Sequence, residues 1–438
     1  MTKDATDQPE PSQHRLVIVG GGVAGLDMAS RLAGKTAGSQ KLSVTLVDRD
    51  TAYVWKPMLH TIAAGTSDAG TQQTVFAAQA QSHGFTFHLG EATAIDRHKR
   101  QIWLAPIESD GEEVVPERLV DYDTLVLAVG SKANDFGTPG VAEQCARIDN
   151  RQQAMAFNDR MRIRLLKHAY AGTTLTVGIV GGGATGVELA AELIQVVKRF
   201  EHYGLESASS RLQVKLLEAA PRLLGPFPED IASAAEEKLR QLGVEVRTDA
   251  QVGEVTHEGF HLTSGEQIST EMKVWAAGIK AAALVSNLTD LEKSRAGQLV
   301  VGPDLRVPGD PHIFALGDCA SPQLPGREMP VPATAQAAHQ QARYLCRNIP
   351  RLIAGEAVAP SRYKDFGSLV SLGGFDAYGT LGRFGLFKKR FIRGRIAQLG
   401  HDLLYRSYQV RLHGLFKGTL LWLIDMINRR VKANARLE

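Results

Sequence analysis

The chain of 438 residues carries one unusual phrase twice, "LVIVGGGVAGLDMA" from Leu16 to Ala29 and "VGIVGGGATGVELAAEL" from Val177 to Leu193. In each copy a short apolar, β-branched run enters three glycines at GxGxxG spacing, Gly20, Gly22 and Gly25, then Gly181, Gly183 and Gly186, and a helix begins at once. No other feature limits the fold so sharply. The first glycine makes a tight turn, the second lets a pyrophosphate approach the backbone, and the third lets helix and strand pack closely. The helix N-terminus then offers free N–H groups and the positive end of its dipole to phosphate. Two turns of this kind predict two dinucleotide sites.

Each turn is followed by a second apolar strand that ends in an acid. "LSVTLVD" ends in Asp48, where a carboxylate can accept hydrogen bonds from ribose hydroxyls, and "LQVKLLE" ends in Glu218. Glu218 would repel a ribose 2′-phosphate, so NADH is favoured over NADPH; the nearest compensating cation is Arg222. The polar stretch "RFEHYGLESASS" reads as an insertion between helix and strand in the second copy. "YDTLVLAVGS" and "MKVWAAGI" are internal counterparts, strands that end in small residues with Gly130 and Gly278. "IFALGDCA" is a further strand with Gly317 and Asp318 at its C-terminal end, the side on which open α/β sheets bind ligands. Asp318 could also cap a following helix.

Composition excludes several classes. Apolar residues make up 44% and charged residues 22%, an ordinary globular balance. Cys145, Cys319 and Cys346 form neither CxxC nor any metal-ligand spacing, so no disulfide framework or metal site is expected. The first 13 residues read as a flexible lead-in without the apolar core of a secretory signal. Net charge is +3, but the stretch from Arg383 to Glu438 carries about +10, which leaves the body about −7.

Taken together, "WKPMLH" (Trp55 to His60), "GGGATGVELAAEL", "VWAAGIKA" and "ATAQAAHQQA" (Ala333 to Ala342) resemble the bacterial type II NADH:quinone oxidoreductases, members of the two-dinucleotide-domain flavoproteins. The resemblance implies one non-covalent FAD per chain on the first glycine turn, Asp318 at the flavin's ribityl-phosphate chain, and NADH on the second turn. It also implies a membrane quinone, ubiquinone or menaquinone, as acceptor, no proton pumping, and a peripheral place on the cytoplasmic face of the inner membrane. The family usually has Glu where this chain has Asp48. Lys56 of the first motif joins the expected cofactor contacts. Glu188 matches a family glutamate near nicotinamide and quinone, although a carboxylate there also suits the helix dipole. Gln336 and Gln340 are four residues apart, on one helix face beside small alanines, and by resemblance border the quinone; without it they read as an ordinary polar face.

The expected architecture is α/β: two Rossmann-like dinucleotide-binding domains, with the FAD domain at 14–150 and 300–350, the NADH domain inserted at 151–299, and a C-terminal segment at 351–438. In that segment Leu404, Tyr408, Leu412 and Phe416 recur every four residues, the spacing of an amphipathic helix in a membrane surface. Lys388, Lys389, Arg390, Arg393, Arg395, Arg429, Arg430 and Lys432 suit an anionic phospholipid surface. Packing on the body or in a homodimer is the other use of such a face, and no nucleic-acid motif accompanies the charge. A sulfide:quinone oxidoreductase, which needs a cysteine pair at the flavin, and a flavin-binding redox scaffold without turnover are the rival functions.

Overall fold

The computed structural model describes residues 13–202, 211–326, 330–381 and 391–431. The elements that build the sites are, in chain order, β1 (Gln13–Val19), α1 (Gly25–Leu32), β2 (Gln40–Asp48), α2 (Leu59–Ala64), β3 (Thr86–Leu89), β4 (Thr124–Leu127), α3 (Arg151–Ala171), β5 (Leu175–Val180), α4 (Ala184–His202), β6 (Leu212–Leu217), β7 (Glu245–Arg247), β8 (Met272–Trp275), β9 (Ile313–Ala315), α5 (Ala335–Ile353), β10 (Gly367–Leu372), β11 (Asp376–Leu381), β12 (Phe391–Arg393) and α6 (Arg395–Val431). They fall into two compact units. Unit 1 comprises Met1–Tyr53, Thr74–Ser131 and Lys280–Tyr363; unit 2 comprises Val54–Gln73, Lys132–Ile279 and Lys364–Glu438.

Unit 1 is built on a six-stranded sheet whose parallel strands run in the order β3–β2–β1–β4–β9, with the short Thr36–Ala37 strand pairing antiparallel to β2. Its middle strand β1 pairs Val17 with Thr45 on one side and Leu125 on the other. Leu16 to Val19 are buried, as a strand covered on both faces requires. Unit 2 repeats the plan in the order β7–β6–β5–β8, here all parallel, with Val177 between Val214 and Met272. The two strand runs that the sequence marks as counterparts, β4 and β8, occupy equivalent places beside the glycine-turn strands.

Helix α4 is apolar on most of its surface because unit 2 covers it from several sides. The sheet, α2 and the β10–β11 hairpin all pack against it, and Val187, Leu189, Ala190, Ala191 and Leu193 are fully buried. The hairpin is antiparallel, β12 extends it, and the fully buried Tyr378 donates its hydroxyl to Asp376 Oδ2 at 3.0 Å.

One expectation about the C-terminus is corrected. Gly414 (φ 79°, ψ 167°) interrupts α6, so it is two helices end to end and the four-residue stripe through Leu412 and Phe416 does not continue as one face. Leu412 is buried and Phe416 is 80% exposed. Lys388, Lys389, Arg390 and Lys432 lie outside the described residues, as does 203–210 of the expected polar insertion. Among the described residues no helix is long and apolar enough to cross a membrane.

Candidate functional site

The two glycine turns are built alike. A Cβ on Gly25 would fall 1.8 Å from the carbonyl oxygen of Gly20, and one on Gly186 would fall 2.0 Å from that of Gly181. Helix and turn can approach so closely only with glycine at the third position. A Cβ on Gly22 or Gly183 would meet nothing within 4 Å. Open space at the second glycine of each motif, at a helix N-terminus, is where a pyrophosphate fits. Gly20 (φ 104°) and Gly181 (φ 112°) turn the chain in a backbone region that side chains avoid.

The acids at the strand ends close both turns in the same way. Asp48 Oδ2 accepts from the Gly21 N–H at 2.6 Å and Oδ1 from Asp50 at 2.8 Å. Glu218 Oε2 accepts from the Gly182 N–H at 2.6 Å and Oε1 from Ala220 at 2.8 Å. Each oxygen keeps a lone pair for a ribose hydroxyl. Burial raises the Asp48 pKa above the usual carboxylate value, opposed by its two backbone N–H donors. Arg222 is held by its own loop, donating to the carbonyls of Phe227 at 3.0 Å and Gly225 at 2.6 Å. Substituting Glu218 by glutamine should therefore raise the preference for NADPH by about tenfold rather than invert it, because the loop must release Arg222 before it meets a 2′-phosphate. Steady-state kcat/KM with both nucleotides measures the change, and an unaltered ratio would remove Glu218 from the ribose site.

In unit 1, β9 delivers Gly317 and Asp318 into a short 3-10 turn. Asp318 Oδ2 accepts from the Ser131 hydroxyl at 2.8 Å, and the Gly317 N–H donates to Gln341 Oε1 at 2.6 Å. Gln341 is 8% exposed and ties the turn to α5, a role that the i, i+4 pattern of its neighbours conceals. Gln336 and Gln340 do share a face of α5, with Gln340 Nε2 at 3.5 Å from Gln336 Oε1. Thr334 caps this helix by accepting from the Ala337 N–H at 3.2 Å. Gly130 (φ 66°) opens on empty space after β4, whereas Gly278 (φ 58°) after β8 faces the Phe136 ring.

In unit 2, Glu188 lies one turn into α4 and is 7% exposed. Its Oε1 accepts from the Ser371 N–H at 3.0 Å, and His60 Nδ1 stands 3.4 Å from its Oε2. Burial above all, with help from the nearby Glu192, pushes its pKa up to about 8 against the opposing Ser371 hydrogen bond. Glu192 and Gln195 continue the polar stripe, Glu192 Oε2 accepting from the Thr66 hydroxyl at 2.6 Å and Gln195 Oε1 from the Gly374 N–H. Three polar residues at i, i+4 and i+7 on a buried helix are a signal that the sequence contains, yet their partners cannot be named from it. Lys56 is exposed at the start of the 3-10 turn that leads to α2. Among the described residues no cluster of ligating side chains could hold a metal ion.

Comparison with known proteins adds a lineage to this geometry. A profile described as pyridine nucleotide-disulphide oxidoreductase matches residues 14–342. A type II NADH:quinone oxidoreductase of Haemophilus influenzae is 37% identical, over 97% of this chain and 99% of the relative. Among solved structures, the NDH2 of Plasmodium falciparum in complex with NADH superposes with TM-score 0.82 at 20% identity, covering 97% of this chain and all of that one. The sulfide:quinone oxidoreductase of Aquifex aeolicus shares the fold with TM-score 0.70 at 16% identity, covering 96% of each chain.

Proposed function

Because the chain belongs to the pyridine nucleotide-disulphide oxidoreductases and, among them, to the type II NADH:quinone oxidoreductases, we propose that it binds one FAD non-covalently on the first glycine turn and NADH on the second and reduces a membrane quinone. The activity itself, oxidation of NADH by quinone, follows from 37% identity over nearly the whole length of a relative of that name. The observation that carries the two-site reading is the duplicated turn, with open space at Gly22 and Gly183 and an acid fixed to each central glycine. FAD bound there supplies a two-electron carrier between nucleotide and quinone.

The chain's own residues position and protonate. Gly20, Gly22, Gly25 and Asp48 hold the adenosine half of FAD, and Ser131 fixes the Asp318 carboxylate for the ribityl-phosphate chain. Gly181, Gly183, Gly186 and Glu218 hold NADH. Glu188 keeps a proton near neutral pH, and Gln336 and Gln340 offer amides to a quinone carbonyl. The acceptor lives in the bilayer, so the C-terminal segment and its basic residues hold the enzyme peripherally to an anionic leaflet, on the cytoplasmic face where NADH is found.

Sulfide chemistry is disfavoured by a specific property. Burial pushes the thiols of Cys145, Cys319 and Cys346 each up to about 12, so none supplies the thiolate that persulfide formation needs. Stopped-flow mixing tests the whole reading: the flavin should bleach with NADH, not with sulfide, and recover with a soluble quinone. Bleaching by sulfide would reverse the assignment. In the same experiment Gln336→Leu and Gln340→Leu should each slow recovery by about tenfold and leave bleaching within about twofold, the loss expected when one hydrogen bond to a bound carbonyl goes. Equal slowing of both steps would move the helix face from quinone to flavin support.

A further inference from the structure

We propose that His60 is a positioning residue for Glu188 that shares its proton, and that the pair stores the one proton that NADH does not bring to quinone reduction. The inference rests on reading Glu188 as part of the reaction site. The balance is simple. Converting a quinone to a quinol takes two electrons and two protons; NADH gives both electrons and one proton as hydride and leaves as NAD+. The second proton comes from the protein, which recovers it from water.

The geometry singles out where it is held. Every residue of α2 is buried, and its second residue, His60, is 3% exposed. The Ser371 N–H donates to Oε1 of the Glu188 carboxyl at 3.0 Å, and the imidazole Nδ1 of His60 stands 3.4 Å from Oε2. One turn along α4, the buried Glu192 accepts from the Thr66 hydroxyl, and Thr66 follows α2 after its capping Gly65. So α2 and its exit turn supply one group to each of two neighbouring buried carboxyls. Two such carboxyls are costly to ionise together, and the one beside the imidazole keeps its proton to about pH 8. Imidazole is the side chain that can take and return a proton near neutrality.

Among the described residues, the other charged groups on the surrounding elements are engaged elsewhere. Along α4 itself, Lys198 lies over the Phe375 ring. On the hairpin, Asp376 is engaged by the Tyr378 hydroxyl. On α3, Asn158 donates to the Ala63 carbonyl and Arg162 sits 3.8 Å from Asp159. Glu192 acts on Glu188 by its charge, and it pushes in the same direction as burial.

The test uses the full-length, FAD-loaded enzyme in stopped flow, with bleaching by NADH and recovery by a short-chain soluble quinone followed separately from about pH 6 to about pH 9. In the wild type, recovery should fall as pH rises through about 8, because Glu188 loses the proton it must give. His60→Leu should slow recovery at least tenfold and move that limb to lower pH by about half a unit or more, since one of two basic sites for the shared proton is gone. His60→Asn places an amide where Nδ1 stood; it should regain most of the rate and keep the displaced limb. FAD content and bleaching should stay within about twofold in both variants. A His60→Leu enzyme with normal rate and limb, or a His60→Asn enzyme with the wild-type limb, overturns proton sharing. If His60→Leu does not fold, His60→Asn decides the matter alone. Glu188→Gln separates the levels: normal recovery there removes the reading of Glu188 itself, whereas slow recovery beside a silent His60 removes only this inference.

Discussion

Purified Gly22→Val protein is expected to be folded and colourless. The structure separates two reasons for which glycine is needed in the first turn. At Gly25 a side chain collides with the backbone of Gly20 at 1.8 Å, so substitution there disrupts the packing of α1 on the turn and should cost stability outright. At Gly22 a side chain projects into open space, where only a bound pyrophosphate would meet it. The apoprotein should therefore tolerate valine, with a circular dichroism spectrum like that of wild type stripped of flavin. Bound FAD, released by heat and measured by absorbance, should fall at least tenfold. The equivalent Gly183→Val enzyme should stay yellow and lose bleaching by NADH at concentrations that saturate the wild type. Yellow Gly22→Val protein, or colourless Gly183→Val protein, would show that the two turns have been assigned to the wrong nucleotides or to none.

This contrast marks what the sequence makes legible. Glycines at fixed spacing after a β-branched run define a turn by local chemistry, so β1, α1, β5 and α4, and the acids at the ends of β2 and β6, are legible from the residues alone. Parallel pairing of β4 with β1 and of β8 with β5 is legible because each run lies at a corresponding point of its copy. Contacts made by chain segments far apart are not. Ser371 reaches Glu188 across 183 residues, Thr66 reaches Glu192 across 126, and nothing local to any of them announces a partner. His60 ends the "WKPMLH" motif without a role that the sequence assigns, because a lone histidine in sequence is mute about what it faces. Gln341 is outweighed by Gln336 and Gln340, whose i, i+4 spacing is a sequence pattern, whereas its bond to Gly317 depends on where α5 docks. At the C-terminus the pattern misleads: four apolar residues at helical spacing outvote Gly414, whose positive φ ends one helix and starts another.

That break recasts how the enzyme should meet a membrane. Beyond Gly414 the helix leaves large apolar side chains exposed on more than one face, among them Phe416 at 80%, Trp422 at 54% and Ile427 at 51%, with Leu420 and Leu423 also open. A protein in water gains nothing from leaving such a helix bare; a bilayer interface is one surface able to cover it. Each such side chain moved from water into lipid contributes about 1 kcal/mol or more at roughly 25 cal/mol per Å². Replacing Leu420, Trp422, Leu423 and Ile427 together by serine or glutamine should then weaken binding to anionic phosphatidylglycerol vesicles by about a hundredfold or more, measured by co-sedimentation. Activity with a long-chain quinone in those vesicles should fall with the bound fraction. Activity with a short water-soluble quinone should hold, because none of the four belongs to the glycine turns, to the Glu188 cluster or to the Gln336 face. A second copy of the chain is the other surface able to cover this helix, and it makes a different forecast: the four-fold variant would change mass in solution, as read by light scattering, and keep its vesicle binding. Vesicle binding that survives the substitutions, or equal loss of activity with both quinones, would assign the helix to assembly instead of to lipid.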